Sequence, residues 1–214
     1  MTAQHQDVVK RKIAQARLLP VVVLDSAAQA LPLADALAEG GLPVAEVTFR
    51  TDAAAESIKA IAQARPDMVV GAGTVLSADH VARAVEAGAQ FLVSPGFNPA
   101  VVAAAQEAGI PIVPGVNSPT NVEAAMAMGL KLLKFFPAEV SGGIPMLKSL
   151  SGPYGNVSFI PTGGIGPKNL NDYLALSNVL ACGGSWMVDR KTVAAGQFDE
   201  ITRLTRAAVA LAAK

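Results

Sequence analysis

Residues 68–94, "MVVGAGTVLSADHVARAVEAGAQFLVS", hold the pattern that decides the fold. "MVVGAG" (68–73) is a short apolar run, residues 78–87 have the spacing of a helix, "AGA" (87–89) sets a glycine just after it, and "FLVS" (91–94) is a second apolar run. Together they make one strand–helix–strand unit, because glycine just past a helix lets the chain turn back.

The same unit repeats in both directions. Strands are expected at 19–24, 44–49, 68–73, 91–94, 111–115, 131–136, 158–163 and 179–184. Helices are expected at 27–39, 52–64, 78–87, 99–108, 119–128, 168–176 and 198–213, with a weaker one at 143–151 that opens on Gly and Pro. No linker or low-complexity segment interrupts the alternation. Runs apolar on both faces imply a parallel sheet covered by helices. Eight units within residues 1–214 predict a single α/β domain, a (β/α)8 TIM barrel with an extra N-terminal helix at 5–17, compact beside the usual length of about 250 residues. An open doubly wound sheet is the alternative. Against it, "VVVLDSAAQA" (21–30) has none of the glycines of a dinucleotide-binding turn.

Composition narrows the function classes. Hydrophobic residues make up 51% of the 214 and charged residues 16%, enough to bury a large core. Lys+Arg and Asp+Glu are equal at 17, so no net field favours nucleic acid or a membrane surface. The single cysteine, Cys182, excludes an internal disulfide framework. The amino terminus lacks a secretory core, and "LLPVVVL" (18–24) is far shorter than the roughly 20 residues that span a bilayer. The expectation is a soluble, cytoplasmic protein.

Side chains alternate between the faces of a strand. In "VAEVTFR" (44–50) the even positions Val44, Glu46, Thr48 and Arg50 form a polar face, and the odd positions an apolar one. In a closed barrel, with helices outside, the polar face must look inward, so Glu46 and Arg50 are expected inside, toward the carboxyl end of strand two. In "KLLKFF" (131–136), Leu132, Lys134 and Phe136 share a face, so Lys134, near a strand end, either enters the barrel or is pressed beneath helices, and neither place is aqueous. It either neutralises a buried carboxylate or snorkels to the rim, or it does chemistry, since catalysis in barrels is assembled at strand ends. Lys131, of opposite parity, is the internal comparison.

The remaining strand ends carry Thr74, Ser94-Pro95-Gly96, Pro114-Gly115 and Thr162, each an ordinary turn or strand residue singly and a ring when taken together. "TGGI" (162–165) and "GGSW" (183–186) follow strands seven and eight. They are either two glycine turns or a place where backbone N–H groups meet a phosphate, as recurs at these two loops of this fold.

An amine in a dry pocket loses solvation of its charged form, and a neighbouring Arg50 would disfavour that form further. The free amine attacks a ketone to give an iminium, an electron sink for breaking the adjacent carbon–carbon bond. Glu46 is the acidic residue expected inside to move the protons. His5 and His80 lack ligand spacing and are expected to face solvent, so no metal is expected; Cys182 reads as a small core residue and Trp186 as packing.

The set "EVTFRT" (46–51), "VGAGTVL" (70–76), "SPGFNP" (94–99), "PGV" (114–116), "KFFPAE" (134–139), "PTGGI" (161–165) and "GGSW" (183–186) resembles the 2-keto-3-deoxy-6-phosphogluconate (KDPG) and 4-hydroxy-2-oxoglutarate (KHG) aldolase family, in order over residues 10–212. The resemblance implies a class I aldolase of the Entner–Doudoroff pathway, cleaving its phosphorylated keto acid to pyruvate and glyceraldehyde 3-phosphate. It further implies a homotrimer of barrels with a covalent lysine imine in place of any cofactor. By motif, Lys134 would be the Schiff-base lysine and Glu46 the acid/base acting through water. Arg50 and Thr74 would hold the carboxylate, and Thr162 the hydroxyl-bearing part. Gly163, Gly164 and Ser185 would bind phosphate, with Pro95 and Phe136 walling the pocket. "GFNP" (96–99) and "GVNSPTN" (115–121) depart from the family pattern, which bears on substrate breadth, with KHG or the galactonate epimer as rival substrates. A phosphosugar isomerase using Glu46 as base, or a non-enzymatic phosphosugar-binding protein, are the readings from other classes.

Overall fold

The computed structural model describes residues 3–213, with side chains from Val9 onward. Nine strand segments follow in order: β1 Leu18–Val22, β2 Val44–Thr48, β3 Val69–Gly73, β4 Leu92–Val93, β5 Ile112–Val113, β6 Gly115–Val116, β7 Leu132–Phe135, β8 Ser158–Pro161 and β9 Cys182–Gly184. Between them run α1 Ala3–Ala16, α2 Ala30–Glu39, α3 Ala54–Ala64, α4 Ala78–Glu86, α5 Pro99–Glu107, α6 Pro119–Ala127, α7 Gly143–Ser151, α8 Leu170–Leu174, α9 Arg190–Ala194 and α10 Phe198–Ala212.

All strand pairs are parallel, in the orders β5-β4-β3-β2-β1-β9 and β6-β7-β8. Isolated bridges Phe159↔Val179 and Thr162↔Gly183 join the β8 stave to the β9 stave. β5 and β6 are two halves of one stave, so the ring closes on eight staves as the sequence predicts. The expected single strand 111–115 is split at Pro114, which has no N–H to give to a ladder, although its carbonyl still accepts from Lys134 N–H at 2.9 Å. The eighth stave is shorter than expected, Cys182–Gly184, with Val179 making only its single bridge.

Helix starts follow from local chemistry. Ser77, Asn98 and Ser118 cap α4, α5 and α6 through their side-chain oxygens, and Pro99 and Pro119 occupy the first helical turn, where a missing N–H costs nothing. The helix expected from residue 27 begins as a 3-10 turn, Ala27–Gln29, closed by a Ser26–Gln29 capping box. α1 is the extra helix: Val9 and Ile13, one turn apart, are buried against β1 and β2. Each such burial stabilises by about 1.5–3 kcal/mol. α9 was not expected from the sequence. Among the described residues, no helix is long and apolar enough to cross a membrane.

Candidate active site

β7 lies between β6 and β8, with Lys134 in register with Gly115 and Ile160. Its side chain is 5% exposed, and its Nζ donates to Glu46 Oε1 at 3.3 Å. Glu46 comes from β2, in register with Val21 and Gly71, and is 1% exposed. Glu46 faces the barrel interior as its parity predicts, and the contact with it resolves the two places open to Lys134 in favour of the interior. Two glycines keep this interior open. A Cβ on Gly73 would stand 2.2 Å from Glu46 Oε1, and one on Gly115 would stand 2.0 Å from the Pro95 carbonyl oxygen. Lys134 Nζ also lies 5.3 Å from the centre of the Phe136 ring. Lys131, in contrast, is exposed.

A purely structural lysine would also pair with a buried carboxylate. The other carboxylate oxygen, Glu46 Oε2, is buried and, like the hydroxyls of Ser57 and Thr205 elsewhere among the described residues, has no hydrogen-bond partner. An orphaned buried acceptor costs about 1–3 kcal/mol and marks a place where a water or a substrate hydroxyl fits.

Arg50 departs from expectation. It lies two residues past the end of β2 and is exposed at the mouth of the barrel rather than enclosed within it. There its Nε donates to Thr74 Oγ1 at 3.3 Å. Thr74 adopts φ 55°, a left-handed conformation that costs a non-glycine residue about 1–3 kcal/mol. The charge against the Lys134 amine is thus the Glu46 carboxylate, opposite in sign to the neighbour the sequence suggested.

A cavity of about 390 Å³ opens at the carboxyl ends of the strands, and its walls include Arg50, Phe136, Thr162, Gly163, Gly164 and Ser185. Lys134 does not itself line the cavity; its Nζ lies 5.3 Å from the ring centre of Phe136, which does. Pro95 is not part of this wall; the loop after β4 instead tucks its carbonyl against Gly115, the register partner of Lys134.

The glycine loop is held in place by β7's own continuation. Gly163 and Gly164 have φ 101° and 81°, and a Cβ on Gly164 would stand 2.5 Å from Glu139 Cγ. Ala138 N–H donates to Thr162 O at 2.8 Å and Glu139 N–H to Gly163 O at 3.1 Å. The Glu139 carboxylate accepts from the hydroxyl of Tyr173, a fully buried ring. Burial first, and then this carboxylate, push the Tyr173 phenol well above its ordinary range. Both glycines line the cavity, where the absence of side chains lets an anion approach the backbone closely. Gly183 is glycine for a separate reason: a Cβ there would meet Thr162 Oγ1 at 2.2 Å.

Sequence reasoning missed Arg190, which also lines the cavity, and its ion pair with Asp25. The local signal was Asp189, whose carboxylate caps α9 by accepting from Lys191 and Thr192 N–H. His80 is only partly exposed, its ring tilted against that of Phe49 with the ring centres 5.1 Å apart; the side chain of His5 lies outside those described. Among the described residues, no three His, Cys, Asp or Glu side chains cluster with metal-binding geometry.

The KDPG and KHG aldolase family model matches residues 9–204. The chain is 48% identical to a 2-dehydro-3-deoxy-phosphogluconate aldolase of Haemophilus influenzae over 96% of this chain and 97% of the relative. It is 52% identical to one of Treponema pallidum over 89% of this chain and 90% of the relative. A solved KDPG aldolase of Legionella pneumophila, described with pyruvate captured at low pH as a covalent carbinolamine intermediate, superposes with a TM-score of 0.90 at 41% identity, covering 93% of this chain and 97% of that one. The chain belongs to the KDPG and KHG aldolase family.

Proposed function

We propose that this protein is a class I aldolase that reversibly cleaves 2-dehydro-3-deoxy-6-phosphogluconate to pyruvate and glyceraldehyde 3-phosphate through an imine on Lys134. The observation that carries the reading is a buried lysine 3.3 Å from a buried carboxylate, behind the wall of a cavity that also holds a glycine loop. Relatives sharing about half the sequence are named as aldolases of this type.

The chemistry follows from the pair. Glu46 accepts a proton from the Lys134 ammonium, and the free amine adds to the C2 ketone. The carbinolamine hydroxyl leaves as water with a proton returned by Glu46, giving the iminium. Glu46, directly or through a water at Oε2, then takes the C4 hydroxyl proton. The C3–C4 bond breaks, its electrons pass into the iminium as an enamine, and the aldehyde departs. Protonation at C3 and hydrolysis release pyruvate and restore the amine. Arg50 and Thr74, hydrogen-bonded at the mouth, are suited to the substrate carboxylate; Thr162 to its hydroxyl-bearing carbons; Gly163, Gly164 and Ser185 to the phosphate. Pro95 supports the floor beside Lys134 and Phe136 walls the cavity. The reaction in this form uses no metal and no cofactor, and the family resemblance extends the proposal to a cytoplasmic homotrimer.

4-Hydroxy-2-oxoglutarate is the second substrate to consider, because the matching family is defined on both activities. Borohydride reduction in the presence of pyruvate tests the mechanism. A stable adduct mapped to Lys134 is the expected result, and an unlabelled Lys134 overturns it. Turnover of the two substrates, measured side by side, then sets their order.

A further inference from the structure

Arg190, at the start of α9, lines the same cavity as Gly163, Gly164 and Ser185. Its guanidinium forms a two-pronged pair with Asp25, in the turn after β1, with Nε to Oδ2 at 3.1 Å and Nη2 to Oδ1 at 2.5 Å. Both partners are anchored. Asp25 and Ser26 donate their N–H groups to Gln29 Oε1, and Asp189 caps the helix that begins with Arg190. The side chains are nonetheless 60% and 42% exposed. An exposed pair contributes at most about 1 kcal/mol, so a dianion entering the cavity can compete for the guanidinium.

We propose that Arg190 is a specificity-determining residue for the phosphate end of the substrate, exchanging its Asp25 partner for a phosphate oxygen pair when the phosphorylated keto acid enters. The inference rests on the phosphate-binding reading of the glycine loop given above. A glycine loop that lets an anion reach the backbone supplies partial charges but no full positive charge; Arg190 supplies one. Asp25 acts in the opposite sense. Its carboxyl is held below its ordinary range, first by the hydrogen bond from Arg190 and further by that residue's charge, so it is ionised at neutral pH and competes with the phosphate for the guanidinium.

The test is a pair of single variants with signs that differ. Arg190→Ala is expected to raise KM for the phosphorylated keto acid and the inhibition constant of inorganic phosphate roughly tenfold. It should also lower the ratio of kcat/KM on the phosphorylated substrate to that on 4-hydroxy-2-oxoglutarate. Asp25→Asn is expected to leave KM for the phosphorylated substrate unchanged or reduce it, and Arg190→Lys to recover part of the loss. If Arg190→Ala and Asp25→Asn raise KM alike, or both substrates suffer equally, the pair is a brace between the β1 turn and α9 and the inference is overturned. Gly164→Ala separates this failure from the broader one. Should phosphate fail to inhibit the unmodified enzyme and Gly164→Ala leave the substrate ratio unmoved, the phosphate-binding reading fails as well; should those two behave as expected while Arg190→Ala is silent, only the role of Arg190 falls.

Discussion

Lys134 Nζ stands 3.3 Å from Glu46 Oε1 inside the barrel, although 88 residues separate the two in the chain. Each neutralises the other in a place where either alone would be an uncompensated charge. Lys134→Met, which leaves Glu46 buried and unpaired, is expected to destabilise the fold by about 3–5 kcal/mol, whereas Lys134→Met with Glu46→Leu should recover most of that loss. Both variants should be without activity. Denaturant unfolding checks the cycle, and a double variant as unstable as the single one would contradict it.

The same pair separates nucleophile from base. Glu46→Gln keeps the volume and a hydrogen-bonding oxygen but cannot take a proton. We expect kcat to fall about 10²–10⁴-fold, while borohydride and pyruvate still label Lys134 on long incubation. Complete loss of labelling would mean that no slower route replaces Glu46 in the proton transfers that form the imine.

Thr74 holds a left-handed φ of 55° and receives the Arg50 Nε–H at 3.3 Å. Glycine has no Cβ to strain there, but it also has no hydroxyl. Thr74→Gly is therefore expected to raise stability by roughly 1 kcal/mol while raising KM for keto-acid substrates, a gain in fold set against a loss in function. Thermal unfolding and steady-state kinetics on the same preparation measure both, and a variant that is less stable than the parent would show that the Thr74 conformation is not strained.

The barrel itself was legible because two periodicities repeat along the chain, and parity put Glu46 on the interior while leaving Lys134 either there or beneath the helices. Parity names a face, not a depth or a partner, so their contact across the barrel could not be read from it. Nor does it give exposure: Arg50, two residues past the end of β2, lines the cavity but stands at its exposed mouth. α9 has five residues, too few to show a helical period, and Asp25 and Arg190 are 165 residues apart with no local sign of each other. The close seating of the Pro95 carbonyl on Gly115 could not be read from the sequence either, because it depends on packing between two staves where a side chain is absent.

Gly164 connects the loop to Glu139. A methyl group there would stand 2.5 Å from Glu139 Cγ on a backbone with φ 81°, so Gly164→Ala must move the loop, Glu139 or both. Tyr173→Phe reaches the same loop more gently, by removing the hydroxyl that Glu139 accepts. Both variants are expected to raise KM for the phosphorylated substrate more than for 4-hydroxy-2-oxoglutarate, Gly164→Ala by the larger factor. Equal effects on the two substrates would place the Tyr173–Glu139 contact in fold maintenance rather than in loop positioning.

Cys182 gives a pH signature that does not depend on catalysis. It is fully buried in β9, and burial pushes its thiol from an ordinary 9.0 up to about 12, with only a partial opposing pull from the Arg17 charge. The folded state therefore holds a proton that the unfolded state gives up. This raised value contributes stability that is fully present below pH 9.0 and is lost as pH rises toward 12, at a slope of about 1.4 kcal/mol per pH unit. Cys182→Ala lacks that slope. The stability difference between the parent and the variant, measured by urea unfolding at pH 8 and pH 10, should shift by about 1.4 kcal/mol in favour of the variant at the higher pH. Parallel curves across that interval would mean that the thiol is already hydrated in the folded protein, and rapid labelling by a thiol reagent under native conditions would say the same.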